Sequence, residues 1–538
     1  MAATLHQRFL EVAARFPERP FLRALPDPAR HWLPEGLALT YAEGAAQVAG
    51  LAARYREAGI GLHHRVALLI ENHPHFFLHK LALASVGAAV VPLNPDWRQA
   101  ELGWVLQLTT PQLLITLPAH RAGLAATLAA TPRPPPVVLL EQVEAGLPGA
   151  REGADAGSID AGTETLVLFT SGTTGRSKGC RYTHEYELAL GDWYRSLGGL
   201  ATFTEGAETL YNPLPVYHSD CSVRAFHEMM PRGGCLVTSD RFRAGRFWED
   251  VRACGATVLH YLGVVTSMLM AQPASPLDRQ HRVRLAIGGG VEPTLHRAFE
   301  ERFGFPLLEV WGMTECMRVL IDCHPPRSVG QRAVGRPRPG LDVRVVDDED
   351  RTVPPGTQGE LCIRHSAEAP RRGLFGGYLD DPAATEEAWR GGWFHTGDFV
   401  RQDQTGLVFF IDRTKHIIRR SGENIAAAEV DAVLLTHPAV AQCAVVPVPD
   451  ELRGEEVMAC VIARPTSAPG PALAESLVAH VHQHLAWFKA PGWVLFVDDL
   501  PRTGSQKIQK FAVFPPGVDG RRQPGAIDLR DRKRRDQR

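Results

Sequence analysis

Paired cysteines are missing from this chain. Its nine cysteines are scattered over 538 residues with no CxxC spacing, which excludes a disulfide framework and a zinc ribbon. An odd count in a long chain fits reduced thiols. An excess of one charge is missing too: 58 Lys and Arg against 60 Asp and Glu leave a net −2. Nothing in that balance points to nucleic acid or an anionic membrane surface. No apolar run approaches the ~18 residues that a membrane helix requires. Met1 to Arg15 is amphipathic but lacks the apolar core of a secretory signal. There is no internal repeat. His480, His482 and His484 share a helical stretch, but no carboxylate sits at a zincin-like spacing, so they read as a solvated face. The expectation is a soluble cytoplasmic protein.

What is present is the composition of a globular chain, 44% hydrophobic and 22% charged. Its length suggests about three to four structural units. Val66–Ile70 and Ala89–Leu93 are short apolar runs, and residues 74–86 between them carry helical spacing. That βαβ rhythm implies a parallel sheet. The Pro-rich piece 132–136 and the stretch 144–162 read as surface connections. After residue 335 the pattern changes to short alternating strands at 341–346, 359–364 and 407–411. Five basic side chains then crowd 413–422, followed by Ser-Gly, a plausible hinge. Beyond lie a helix near 427–436, strands near 440–448 and 456–463, and a helix near 472–486. The fold class expected is α/β: a large N-terminal domain of βαβ-type sheets with a β-rich subdomain, then a small mobile α+β domain. The boundaries expected are 1–414, 415–515 and a charged, disordered tail at 516–538.

The chemistry-bearing stretch is Thr170-Ser171-Gly172-Thr173-Thr174-Gly175-Arg176-Ser177-Lys178-Gly179. It follows the buried-strand pattern Leu166-Val167-Leu168-Phe169. Hydroxyls and glycines on a turn let many donors approach a polyphosphate, and Lys178 adds a point charge. The spacing is not a Walker A loop. A second element, Val310-Trp311-Gly312-Met313-Thr314-Glu315, sets a hydroxyl and a carboxylate at a strand end. One carboxylate plus phosphate oxygens is a usual Mg²⁺ arrangement, and Trp311 offers a flat face to a purine. Gly288-Gly289-Gly290 after an apolar run permits either a flexible turn or close approach of a flat ligand. Asp398, in Trp393-Phe394-His395-Thr396-Gly397-Asp398, is either a turn residue or a carboxylate suited to vicinal ribose hydroxyls.

These motifs, in this order from about residue 40 to 512, resemble the adenylate-forming superfamily of acyl-CoA synthetases, adenylation domains and luciferases. The resemblance implies roles. Ser171 to Lys178 would hold the ATP phosphates. Thr314 would contact the α-phosphate and Glu315 would bind Mg²⁺. Gly288 to Gly290 would lie along the adenine and the acyl group, and Asp398 and Arg413 would hold the ribose. Lys415 stands at the family's hinge position, and Ser421-Gly422-Glu423 matches the segment lining the CoA tunnel. Leu500-Pro501-Arg502-Thr503-Gly504-Ser505-Gln506-Lys507 resembles the catalytic-lysine motif, with Lys507 as the lysine. Ser177 replaces a usual proline and Gln506 a usual glycine; both alter loop stiffness rather than charge.

The reaction implied is attack of a carboxylate on the α-phosphate of ATP, then attack of a thiol on the acyl-adenylate. ATP, Mg²⁺ and CoA are the expected cofactors. The leading expectation is an acid–CoA ligase. The alternative is a stand-alone adenylation enzyme that loads a carrier protein in trans. The stretch Tyr217 to Phe226 most resembles the carnitine/crotonobetaine-CoA ligase branch. There His218 falls where the family places a gate beside the acyl carboxylate. Asp220, Arg224 and Arg318 are ionisable candidates for the acyl pocket. Unpaired buried charge disfavours a long-chain fatty acid, so a short polar or charged acid is expected. No nucleic-acid partner is expected; the oligomeric state stays open, a homodimer included.

Overall fold

The computed structural model describes residues 3–97, 99–170, 177–413, 416–420, 423–451, 453–485, 487–502, 508–515 and 517–533. The chain divides into two compact units, 1–342 with 364–394, and 343–363 with 395–538.

The first unit holds two sheets. In one, the order is Val137–Leu139, Leu113–Thr116, Arg65–Leu69, Ala89–Pro92, Glu164–Phe169 and Gly179–Thr183. Pairing is parallel up to Glu164–Phe169, which pairs antiparallel with Gly179–Thr183. The βαβ rhythm read at 66–93 is this sheet. Its crossover helix His75–Val86 buries nearly every residue, so it is apolar all round rather than on one stripe. Gly87 ends it with φ 80°, a backbone conformation that glycine adopts without a Cβ penalty.

The other sheet runs Cys316–Ile321, Leu307–Met313, Leu285–Gly289, Val258–Leu262, Thr209–Asn212, Cys235–Thr238, Pro20–Ala24 and Leu37–Thr40. Its central strands are parallel. Leu307–Met313 turns back antiparallel into Cys316–Ile321. Aromatic side chains such as Phe247, Phe299, Phe303 and Phe305 fill a core beside it.

The second unit also has two sheets. Asp342–Val346, Gln358–Arg364, Phe394–Gln402 and Val408–Arg413 lie side by side in that order. These are the β-rich strands expected after residue 335. By compactness most of their residues group with the C-terminal part of the chain. The second sheet is built on the long hairpin Val440–Asp450 and Gly454–Ala463. Helices Ala427–Leu435 and Pro471–His484 supply apolar faces to its core.

Residues 517–533 of the tail expected to be disordered are docked. Ile527–Asp528 pairs antiparallel with Trp493–Phe496, and Leu529 is buried in the core at 4% exposure. Arg530 Nη1 meets Asp450 at 3.0 Å, and Lys533 Nζ ion-pairs with the Glu456 carboxylate, which also takes Arg420 Nε at 2.8 Å. Composition showed the tail's charges; it did not show the carboxylates that the fold places opposite them, nor that two apolar side chains suffice to peg the strand.

Candidate active site

The strand Glu164–Phe169 is buried at every position, and it delivers the chain to Thr170. Thr170 N donates to Lys178 O at 3.0 Å, and Phe169 lies opposite Gly179 in the returning strand. The hydroxyl-rich loop therefore spans the end of a hairpin. Ser171, Gly172, Thr173, Thr174 and Gly175 lie outside the described residues.

Lys178 emerges with its ammonium 4.7 Å from the ring centroid of Tyr378, a cation–π contact. The Tyr378 hydroxyl donates to Glu315 Oε1 at 2.8 Å. Glu315 and Thr314 form the two-residue link between Leu307–Met313 and Cys316–Ile321, with Met313 opposite Cys316. Tyr182 fixes the same link from below by donating to Thr314 O at 2.5 Å. Burial, then the Glu315 charge, pushes the Tyr378 and Cys180 protons up, so both groups stay neutral beside the carboxylate. The fold thus brings Lys178, Thr314 and Glu315 together around a tyrosine that no motif had singled out. Tyr378 follows Gly376-Gly377 but stands 63 residues from Glu315, too far for local pattern to connect them.

Trp311 is buried at 3% exposure, and the surface open beside it is the backbone of Gly312. Gly288 and Gly289 lie inside the strand Leu285–Gly289 rather than in a loose turn. A Cβ on Gly288 would fall 2.1 Å from Tyr261 O, and one on Gly289 3.0 Å from Val310 O. Gly290 follows with φ 81°. Gly288 is buried, its Cβ position taken up by Tyr261 of the next strand, so Gly289 and Gly290 are the backbone left open to a flat group. Glu309 ties this strip down, accepting from Gly290 N at 3.2 Å. It is 4% exposed, and burial pushes its carboxyl up to about 7. Nothing in the local sequence marks it: it is a lone carboxylate in the run Leu307-Leu308-Glu309-Val310.

His218 opens a tight turn; its carbonyl accepts from Cys221 N at 3.2 Å and from Ser222 Oγ at 2.9 Å. Asp220 to Ala225 continue as a wide π-helical turn, a local form found often at functional sites. Arg224 is 1% exposed and ion-pairs with Asp220 at 2.9 Å. Around them the protein is locked by two buried carboxylate–imidazole pairs. Glu187 takes His227 at 2.5 Å and Lys80 at 2.7 Å, and Glu228 takes His260 at 2.6 Å. Lys80 also donates to Ser222 O at 2.9 Å. Burial alone would raise the Glu187 carboxyl, but Lys80 and His227 hold it below its ordinary value. Among the described residues His227 Nδ1 and Glu228 Oε1 are buried without a hydrogen-bond partner, so the network is only partly satisfied. Arg318 joins a different set, donating to Gly340 O and meeting His365 Nδ1, both at 2.8 Å.

In the second unit, Asp398 and Arg413 stand directly opposite each other on adjacent antiparallel strands. Asp398 is 2% exposed; it is a strand residue, not a turn residue. Gly397 before it has φ 67°, and its N–H donates to Glu360 Oε1 at 2.9 Å. Lys415, Ser421, Gly422 and Lys507 lie outside the described residues, and of Glu423 only the backbone is described. The chain on either side of 503–507 is pinned. Arg502 and Ile508 bridge, and Gln509 N donates to Pro501 O at 2.7 Å. Lys510, three residues past Lys507, is held 2.5 Å from Asp431 and 3.8 Å from Asp412. The helical histidines face one another and the chain: His480 meets Thr436 Oγ1 at 2.7 Å, and His484 Nδ1 meets His480 O at 2.8 Å.

The hairpin loop, the Thr-Glu link and the glycine strip coincide with a family pattern that runs through both units. Residues 9–379 match the AMP-binding enzyme family, and residues 429–507 match the AMP-binding enzyme C-terminal domain. The chain belongs to the AMP-binding enzyme family. Among its relatives is the crotonobetaine/carnitine–CoA ligase of Proteus mirabilis, 31% identical over 88% of this chain and 92% of that protein. The ligase of the same name from Salmonella paratyphi A is 32% identical over 85% and 89%. ATP-bound MatB from Rhodopseudomonas palustris superposes with a TM-score of 0.79 at 26% identity, covering 94% of this chain and 98% of that one. As an AMP-binding enzyme of this kind the chain is an AMP-forming acyl-CoA synthetase, with ATP, Mg²⁺ and CoA as its cofactors. The open backbone at Gly289, Gly290 and Gly312 fits a purine, and Glu315 next to Thr314 is an all-oxygen donor set that fits Mg²⁺. No helix among the described residues is long and apolar enough to cross a membrane.

Proposed function

We propose that this ligase activates a short, polar or charged carboxylic acid as its acyl-adenylate and passes the acyl group to CoA. The carrying observation is the Asp220–Arg224 ion pair, held at 2.9 Å with Arg224 buried. The segment bearing it starts at His218. A wall carrying a fixed pair of opposite charges disfavours an alkyl chain and complements a compact acid with its own charge or dipole. The name shared by the relatives, crotonobetaine/carnitine–CoA ligase, supports an acid with a quaternary ammonium, which Asp220 would face.

The chemistry needs two anions brought together, so it is mostly neutralisation and positioning. Thr173 and Lys178 would take phosphate oxygens, and Lys178 is already aimed by the Tyr378 ring. Thr314 would contact the α-phosphate. Glu315, oriented by Tyr378, would hold Mg²⁺, which supplies charge neutralisation to the phosphates. Gly312 would flank the purine, backed by the buried Trp311 instead of the open indole face expected, with Gly289 and Gly290 along its face and Gly288 supporting them from within the strand. Asp398 and Arg413, set opposite on neighbouring strands, would share the ribose. Lys507 would bridge the attacking carboxylate and the α-phosphate. A rotation beyond Lys415 would then replace that loop with Ser421, Gly422 and Glu423 for thiol attack.

The test is AMP and thioester formation with CoA across a panel of acids. Carnitine-like acids should be preferred over neutral short acids, and long-chain fatty acids should be poor. Asp220→Asn should lower kcat/KM for the cationic acids by about tenfold, roughly 1.4 kcal/mol, and change neutral acids far less. Equal losses on every acid would remove Asp220 from substrate reading, and a preference for long-chain fatty acids would overturn the proposal.

A further inference from the structure

A second set of metal-binding groups lies in the first unit, outside the motifs described above. His31 belongs to the loop between Pro20–Ala24 and Leu37–Thr40, Glu71 follows Arg65–Leu69, and His120 sits in the first turn of Pro118–Ala130. Three segments far apart in sequence converge there. His120 Nε2 lies 2.7 Å and His31 Nε2 3.2 Å from Glu71 Oε1, and the three ligand atoms all lie within 4.8 Å of one another. We propose that His31, Glu71 and His120 form a binding site for a Zn²⁺-class divalent transition metal, with water completing the coordination.

Four features support it. The donor set, two imidazoles and one carboxylate, is one that Zn²⁺ takes with a fourth position open, and Mg²⁺ or Ca²⁺ would reject the nitrogens. Tetrahedral coordination needs donors about 3.3 Å apart, a separation reached here by small side-chain shifts. The carboxylate is oriented from outside: the Trp32 indole N–H donates to Glu71 Oε2 at 2.9 Å, leaving Oε1 turned to the histidines, as supporting groups do around metal ligands. Finally, Glu71 has φ 52°, a left-handed backbone that a glutamate seldom adopts and that marks functional sites. Arg30, the nearby cation, is turned away onto the Trp32 ring at 4.3 Å and the Trp32 carbonyl at 2.7 Å.

The site is built as a staple. Asn72, next to Glu71, accepts from Val216 N at 2.9 Å and donates to Leu214 O at 3.2 Å and Ser239 O at 2.8 Å. A metal on Glu71 would anchor this clamp to the N-terminal loop and to the helix of His120. None of this depends on which acid the enzyme activates.

The experiment uses the full chain, stripped with a chelator and titrated with Zn²⁺ against a chromophoric competitor, and separately with Co²⁺. One Zn²⁺ per chain is expected, with the visible bands of four-coordinate Co²⁺ and a higher unfolding temperature on saturation. His31→Ala, Glu71→Gln and His120→Ala should each weaken binding at least about tenfold. His480→Ala, in the other histidine cluster, should not. Should the Glu71 or His120 variant misfold, His31→Ala decides, because His31 is half exposed on a loop. Binding of unchanged affinity in His31→Ala, loss of binding in His480→Ala, or no Zn²⁺ bound below about 100 μM would each overturn the site.

Discussion

Replacing Glu309 by glutamine should change how the stability of this protein depends on pH. The carboxyl is 4% exposed and pushed up to about 7 by burial, with Arg332 and His296 only partly opposing that rise. An acid held above its ordinary 4.5 binds its proton more tightly folded than unfolded. Its stabilising contribution is therefore full below about 4.5 and is lost as pH rises through about 7. Integrating proton binding between these values gives about 2.5 kcal/mol lost from pH 5 to pH 8. Glu309→Gln keeps the shape and an acceptor for Gly290 N but cannot titrate. Urea unfolding followed by tryptophan fluorescence at pH 5, 6.5 and 8 measures the difference between the two proteins; every other titrating group cancels. That difference should shift by about 2.5 kcal/mol across the range, with half of the change reached near pH ~6. A difference that stays constant with pH would mean that Glu309 titrates normally and that its burial is relieved. A shift of opposite sign would mean that a cation, not burial, governs it. Because the same carboxylate tethers the glycine strip proposed for the purine, the KM for ATP should lose its pH dependence near 7 in the variant.

The proposed reacting residues give a sharper kinetic contrast. Glu315→Gln should cut ATP–pyrophosphate exchange by about a hundredfold, since a cation clamp is worth several kcal/mol. Lys507→Ala should abolish adenylate formation yet leave CoA transfer from synthetic acyl-adenylate largely intact; equal slowing of both steps would remove it from the chemistry. In the second unit, Leu529→Ala should lower stability by about 2–4 kcal/mol, read as earlier proteolysis of that unit, whereas a free tail would show no effect.

Legibility in the sequence followed the range of the interactions. The strand expected at 166–169 is found at Glu164–Phe169, and the crossover helix expected at 74–86 is found at His75–Val86. A strand buried on both faces reads as a continuous apolar run, and so does a helix buried all round. The hydroxyl loop and the Thr-Glu link stand out in the sequence because their donors are contiguous. Tyr378 does not, because its partners Lys178 and Glu315 are brought to it from distant sequence. Lys510 was hidden for the same reason: its meaning lies in Asp431 and Asp412, which only folding supplies. The charged tail misled most, since a run of arginines looks solvated until its carboxylates are in place. Arg318, an ionisable candidate for the pocket wall, also has partners that local pattern does not show, Gly340 and His365.

The order of strands in the larger unit also constrains how the chain acquires its structure as it is made. Pro20–Ala24 pairs with Cys235–Thr238, while the entire six-stranded sheet, from Arg65 to Thr183, is spelled out between them. The inner sheet is self-contained in sequence and can assemble from residues already synthesised. The earliest strand must wait, with an open edge, until more than two hundred further residues have emerged. Closing so long a loop is slow, and an unpaired edge invites association with other chains. Nascent chains halted before residue 235 should therefore bind chaperones through this first hairpin.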